Sequence, residues 1–150
     1  MNAEVEKRIQ QMLDGVEIEQ ANLYLMQYVQ SDAAWEVCLS ILTDSPHIQV
    51  KFFVATMLHT KVKRHWHNLT LPAKRHVKDV LVNVINSCLS NTKKVGDPMY
   101  GAQYRNVIDH ILLPLCTACV YDVESLESYL PMAVAKMYLA VEDIQKSEIV

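Results

Sequence analysis

Two cysteines three residues apart, Cys116 and Cys119, are the first place to look for chemistry. A redox CxxC needs a helix N-terminus or a nearby cation to depress one thiol, and a zinc site needs two further ligands. Here the pair falls inside an apolar helical pattern with no second pair close by, so core packing is the expected role. His59, His65, His67 and His76 are near one another in sequence. His65 and His67 straddle Trp66 and cannot share one helix face, and no carboxylate is spaced to complete a site. There are no paired carboxylates at useful spacing and no nucleophile with a base. Gly15, Gly96 and Gly101 are too scattered to cradle a phosphate. The expectation is therefore no enzyme: no catalytic residue, no metal site and no cofactor.

Charge is unevenly placed. The net charge is −3. Residues 1–50 carry two basic and eight acidic side chains, a balance of −6. Residues 51–94 carry nine basic and one acidic, a balance of +8, and residues 95–150 three basic and eight acidic, a balance of −5. The basic middle could meet an acidic partner or the acidic neighbours of its own fold. Nucleic-acid binding through Lys61 to Lys78 is the weaker reading, because the basic residues fall on two helices and a turn and the aromatic residues look buried.

The elements that position these residues are helical. In 150 residues, 51% are hydrophobic, with 3 Gly and 5 Pro. So few turn formers exclude an all-β chain, and so much apolar side chain excludes extended disorder. The longest apolar run, Ile111 to Tyr121, is too short to span a bilayer. The first residues are polar and acidic, unlike a signal peptide. With four cysteines in apolar helical patterns, the expectation is a soluble chain in a reducing compartment without disulfides.

Seven stripes follow the helical period. The first, from Val5 to Leu13, ends at Asp14-Gly15; the second runs from Ala21 to Val29. Ser31-Asp32 is the expected cap of a third through Trp35 and Leu42, and Ser45-Pro46 the expected start of a long fourth from Val50 to Trp66. Thr70 is the expected cap of the fifth, Val77 to Leu89. Residues 91–100 read as a long loop before a sixth stripe, Tyr104 to Cys119, that contains Pro114. A seventh runs from Leu130 to Ile144. Paired 1 with 2, 3 with 4 and 5 with 6, these helices repeat every ~40 residues, the period of HEAT or armadillo units. The fold class is all-α, a HEAT-repeat α-α solenoid of about three helix pairs plus the start of a fourth, with a four-helix bundle carrying extra helices as the competitor. The unpaired seventh helix would leave an uncapped C-terminal end, a possible self-association surface.

The stretch from Ala21 to Trp66 resembles the N-terminal domain of importin-β-type nuclear transport receptors, and within them the transportin-SR and importin-thirteen group. Ala21 and Leu25 come first, then Ser31 and Trp35 as S-x-x-A-W. Val50, Phe53, Ala55, Leu58, Lys61 and Val62 follow as V-x-x-F-x-A-x-x-L-x-x-K-V. The resemblance divides the chain into an importin-β N-terminal-like domain at 1–90 and a continuation of the solenoid at 91–150, after the loop at 91–100. The family is far longer than this chain.

The resemblance implies the N-terminal part of a shuttling nuclear import receptor, cytoplasmic and nuclear. It would bind the GTP form of the GTPase Ran on concave second helices, here residues 16–30, 47–66 and 101–120. Cargo and nucleoporins would be partners of the full-length receptor, with no membrane insertion. Lys61 matches the family's recurring lysine and is carried over as Ran-binding. Asn22, Gln49, Thr56, His59 and Lys63 are candidates from position alone. Ala21, Leu25, Trp35, Phe53, Ala55, Leu58 and Val62 are the expected core signature. The alternatives are a helical-repeat scaffold for another protein or peptide, and an RNA-associated module using residues 61–78.

Overall fold

The computed structural model describes residues 2–94 and 98–122. Among them are six α-helices, one 3-10 turn and no strand. The helices are α1 (Asn2–Asp14), α2 (Ile18–Val29), α3 (Ala33–Asp44), α4 (Ile48–His65), α5 (Leu71–Lys94) and α6 (Pro98–Tyr121), with the 3-10 turn at Trp66–Asn68 between α4 and α5. Successive helices pack as pairs, α1 on α2, α3 on α4 and α5 on α6. Neighbouring pairs then join in two layers. In one, α3 lies against both α1 and α5; in the other, α4 lies against both α2 and α6. This is the stacked-pair, all-α solenoid. No single pair can cover its own apolar stripes, so each is buried by the next.

One continuous core runs between the layers, from Val5 and Ile9 on α1 to Leu115 and Cys119 on α6. Trp66 sits in it, fully buried, with its ring edge-on to Trp35 at 6.2 Å between centroids. The short 3-10 turn thus carries the largest fully buried side chain of the described residues.

Helix ends follow the expected chemistry in places and depart from it in others. Thr70 caps α5 through Ala73 N–H donating to its Oγ1 at 3.3 Å. At the α1–α2 turn, Gly15 (φ 73°) and Glu17 (φ 49°) both take left-handed backbone. Glycine does this freely, whereas Glu17 is strained there. Ser31 does not cap α3. Its hydroxyl turns back and donates to Tyr28 O at 2.7 Å, and Asp32 makes no side-chain cap bond. Helix α4 begins at Ile48, not at Pro46; Ser45 is buried and accepts from His47 N–H at 3.3 Å.

The expected loop at 91–100 is corrected. Helix α5 continues to Lys94 and α6 has begun by Pro98. Polarity is the wrong signal for a loop there. Asn91 to Lys94 contain neither Gly nor Pro, so the helix has nothing to stop it, and Pro98 suits a first helical turn. Helix α6 runs through Pro114 without ending. The expected seventh helix, from Leu130 to Ile144, and the uncapped end it implies lie outside the described residues.

Candidate partner-binding face

The layer made by α2, α4 and α6 presents a face built from two ridges at helical spacing. On α2 the ridge is Asn22, Met26 and Gln30, all exposed. Asn22 Nδ2 donates to Met26 Sδ at 3.5 Å. On α4 it is Phe52, Thr56 and Thr60, continued by Arg64. Thr56 Oγ1 donates to Phe52 O at 3.2 Å and Thr60 Oγ1 to Thr56 O at 3.3 Å, so these hydroxyls lie along their own helix. Residues four apart stand one above the other on a helix, which is why each ridge is straight. Between the ridges is a groove of about 440 Å³ with Leu25, Val29, Phe53 and Met57 along it. Met26 is 61% exposed and Phe52 39%. The groove is mainly apolar, with Arg64 as its one ionic lining residue.

A second, smaller groove of about 220 Å³ lies on the α6 side of α4, where Phe52 again forms a wall, with Gln49, Asn106 and Val107. The Phe52 ring rests on the His110 ring, centroids 4.0 Å apart. His59 Nε2 is 3.1 Å from Thr117 Oγ1, and Thr117 donates its own proton to Leu113 O at 2.8 Å. His59 must therefore be the donor in that pair, carrying its proton on Nε2. Burial, with the nearby Lys63 charge, lowers its pKa and favours this neutral imidazole.

Of the positions expected from sequence, Asn22 and Thr56 line the larger groove, Gln49 lines the smaller, and Lys63 is exposed on α4. His59 is half-buried and engaged with Thr117. Lys61 is corrected. Its side chain is 1% exposed, and Nζ donates to Ser31 O at 2.9 Å. An ammonium spent on that carbonyl in the interior is not on offer to a partner. The ridge residues not expected are Met26, Gln30, Phe52, Thr60 and Arg64. Their signal is four-residue spacing in line with Asn22 and Thr56.

Much of the basic middle turns inward. Lys51, Lys61 and Lys78 are buried. Lys78 Nζ lies 2.9 Å from Asp122 Oδ2, and Lys74 Nζ lies 3.8 Å from Oδ1 of the same carboxylate. Both ammonium groups also approach the Trp66 ring, at 5.7 and 5.9 Å. Lys63, Arg64 and Arg75 are exposed but are divided between α4 and α5. That is a poor track for a phosphate backbone. Cys116 and Cys119 are free thiols, half-buried and buried, and burial pushes both pKa values up, against a redox or metal role. Among the described residues no group of three or more His, Cys, Asp or Glu is placed to hold a metal. No described helix is long and apolar enough to cross a membrane.

Residues 21–87 match the family model of the importin-beta N-terminal domain. That stretch is similar to an importin-β-type N-terminal domain. The matched span opens on α2 and closes within α5, so it contains the whole of the α2–α4 groove. Within the matched stretch Ala21, Leu25, Trp35, Ala55, Leu58 and Val62 are buried, and Phe53 packs partly buried against the core. Over 94 residues the chain is 30% identical to Importin-13 of Bos taurus, covering 61% of this chain and 10% of that protein. Over 60 residues it is 40% identical to an uncharacterized protein of Schizosaccharomyces pombe, covering 39% of this chain and 6% of that protein. The match thus spans a tenth or less of the length of these curated relatives. No solved structure matches the chain.

Proposed function

We propose that this chain is the N-terminal part of a nuclear import receptor that moves between cytoplasm and nucleus. We further propose that the face formed by α2, α4 and α6 binds the GTP form of the small GTPase Ran. The observation that carries this is the coincidence of two things. The exposed ridges and apolar groove of α2 and α4 fall inside the span matched to the importin-beta N-terminal domain. Apolar area with a single cation at its edge suits a protein partner more than a polyanion.

The mechanism involves no bond chemistry. A partner that binds one conformation of the receptor better than another shifts the population, and cargo affinity changes by the same free energy. Cargo and nucleoporins would be held by the remainder of a full-length receptor. The test is binding of the chain to Ran loaded with GTP or with GDP, by calorimetry or pull-down. Retention of the GTP form with loss of the GDP form supports the proposal. Equal binding of both, or of neither, defeats it for this chain.

A further inference from the structure

Lys51 is the buried cation that the partner-binding face does not use. It stands in the first turn of α4, 9% exposed, and no hydrogen bond or ion pair reaches its ammonium from any described residue. Its stem is packed away while its ammonium reaches solvent beside the α3–α5 surface, with no ion-pair partner among the described residues. Lys51 lines a cavity of about 160 Å³ closed by the last turn of α3 and the middle of α5. Asn83 and Ser87, four residues apart on α5, line the same cavity, so their side chains stand on one helix face above each other. Neither makes a side-chain hydrogen bond with a described residue, which leaves an amide N–H₂ and a hydroxyl free to donate. Thr43 completes the polar lining, but its hydroxyl proton is committed to Leu39 O at 2.8 Å. Leu42, Val80 and Val84 are the apolar walls. No carboxylate lines the cavity.

One cation and two uncommitted neutral donors line the same cavity, and no carboxylate lines it. We infer that the cavity between α3, α4 and α5 is a binding site for a small oxyanion of phosphate or carboxylate size, held by Lys51 with Asn83 and Ser87. Charge-assisted donation from the Lys51 ammonium is the strong contact, and the amide and hydroxyl orient the anion. The volume admits one such group and excludes a nucleotide. The site is reached from α3 and α5, away from the α2–α4 groove, and does not depend on what binds there.

The test is an NMR titration of the full chain, following the Asn83 side-chain amide and the Thr43 and Ser87 backbone amides. Inorganic phosphate and acetate form separate arms, with chloride at matched ionic strength as the control. A saturable shift with phosphate assigns a tetrahedral anion, and one with acetate assigns a carboxylate. Either must vanish in Lys51→Met and weaken at least several-fold in Asn83→Ala, an exposed position whose replacement leaves the helix intact. No saturable shift in either arm overturns the site. So does a shift that persists in Lys51→Met or is reproduced by chloride. Should Lys51→Met fail to fold, an Asn83→Ala protein that binds as tightly as the unaltered chain overturns it equally.

Discussion

The ammonium of Lys61 on α4 lies 2.9 Å from the carbonyl oxygen of Ser31, thirty residues earlier, just beyond the C-terminal end of α2. It also sits 5.6 Å from the centre of the Trp35 ring. Lysine here ties the end of one pair's second helix to the next pair, in the place where carbonyls of a helix end lack partners.

Replacing Lys61 by Ala should therefore cost stability in the absence of any partner. Loss of a charged donor to a buried carbonyl is worth about 1–3 kcal/mol, and loss of the packed stem adds to it. Lys61→Met, which keeps most of the stem, should be the milder of the two. Urea unfolding of both variants measures this. A midpoint unchanged in Lys61→Ala would contradict the assigned role.

Asp122 gives a pH-dependent counterpart. Burial raises its pKa, but hydrogen bonds from Lys78 and Trp66 and the charges of Lys78 and Lys74 outweigh this, so the net pKa lies below the ordinary 3.8. A carboxylate depressed in the folded state contributes stability that is full above 3.8 and disappears as pH falls through the folded value. Asp122→Asn should be less stable than the unaltered chain by about 3 kcal/mol at neutral pH, since it leaves Lys78 buried beside a neutral amide. The difference should shrink in acid. Denaturant melts at neutral pH and at successively lower pH read the gap directly.

These two contacts also mark the limit of what could be read from sequence. The helices of both layers were legible because apolar residues recur at their period. Asn22 and Thr56 could be placed outside the core because they are polar positions between the apolar residues of their helices. Lys61 is equally polar, yet it is buried. Only the position of Ser31 explains it, and that contact spans thirty residues that no local pattern encodes. The partnership of Lys74 and Lys78 with Asp122 is longer still, so sequence left open whether the basic middle met a partner or its own fold. The polar run from Asn91 failed as a loop signal for a different reason. Polarity reports exposure, whereas ending a helix takes Gly, Pro or a cap.

Alkaline pH should expose Cys38. Burial pushes its pKa from 9.0 up to about 12, although the Lys61 charge acts to lower it. A thiol raised in the folded state contributes stability that is full below 9.0 and is lost as pH rises through about 12. At about pH 10.5 the loss should be on the order of 2 kcal/mol relative to neutral pH. Lys61, whose pKa burial lowers, acts in the opposite sense below 10.5. Cys38→Ala should flatten the alkaline decline, and the slope of unfolding free energy against pH in the two proteins decides the matter.

The proposed Ran-binding face makes a separable prediction. Met26→Ala and Arg64→Ala alter exposed side chains on opposite sides of the α2–α4 groove. Each should weaken binding of GTP-loaded Ran by roughly tenfold, the scale of a contributing interface residue. Unfolding midpoints should stay within about 0.5 kcal/mol of the unaltered chain. Weakening by Arg64→Ala should be greater at low salt than at high. Unchanged affinity in both variants would place the contact elsewhere.

Phe52 belongs to both grooves of this face, and its other neighbour is an imidazole. The two grooves therefore have a common partition one ring thick. A side chain inserted on the α2 side that displaces this ring must push it against His110 or into the space beside Asn106. Two ligands that never touch would then sense each other through one torsion angle. Their coupling would be a property of a single residue, and replacing the ring by Ala would merge the two compartments into one.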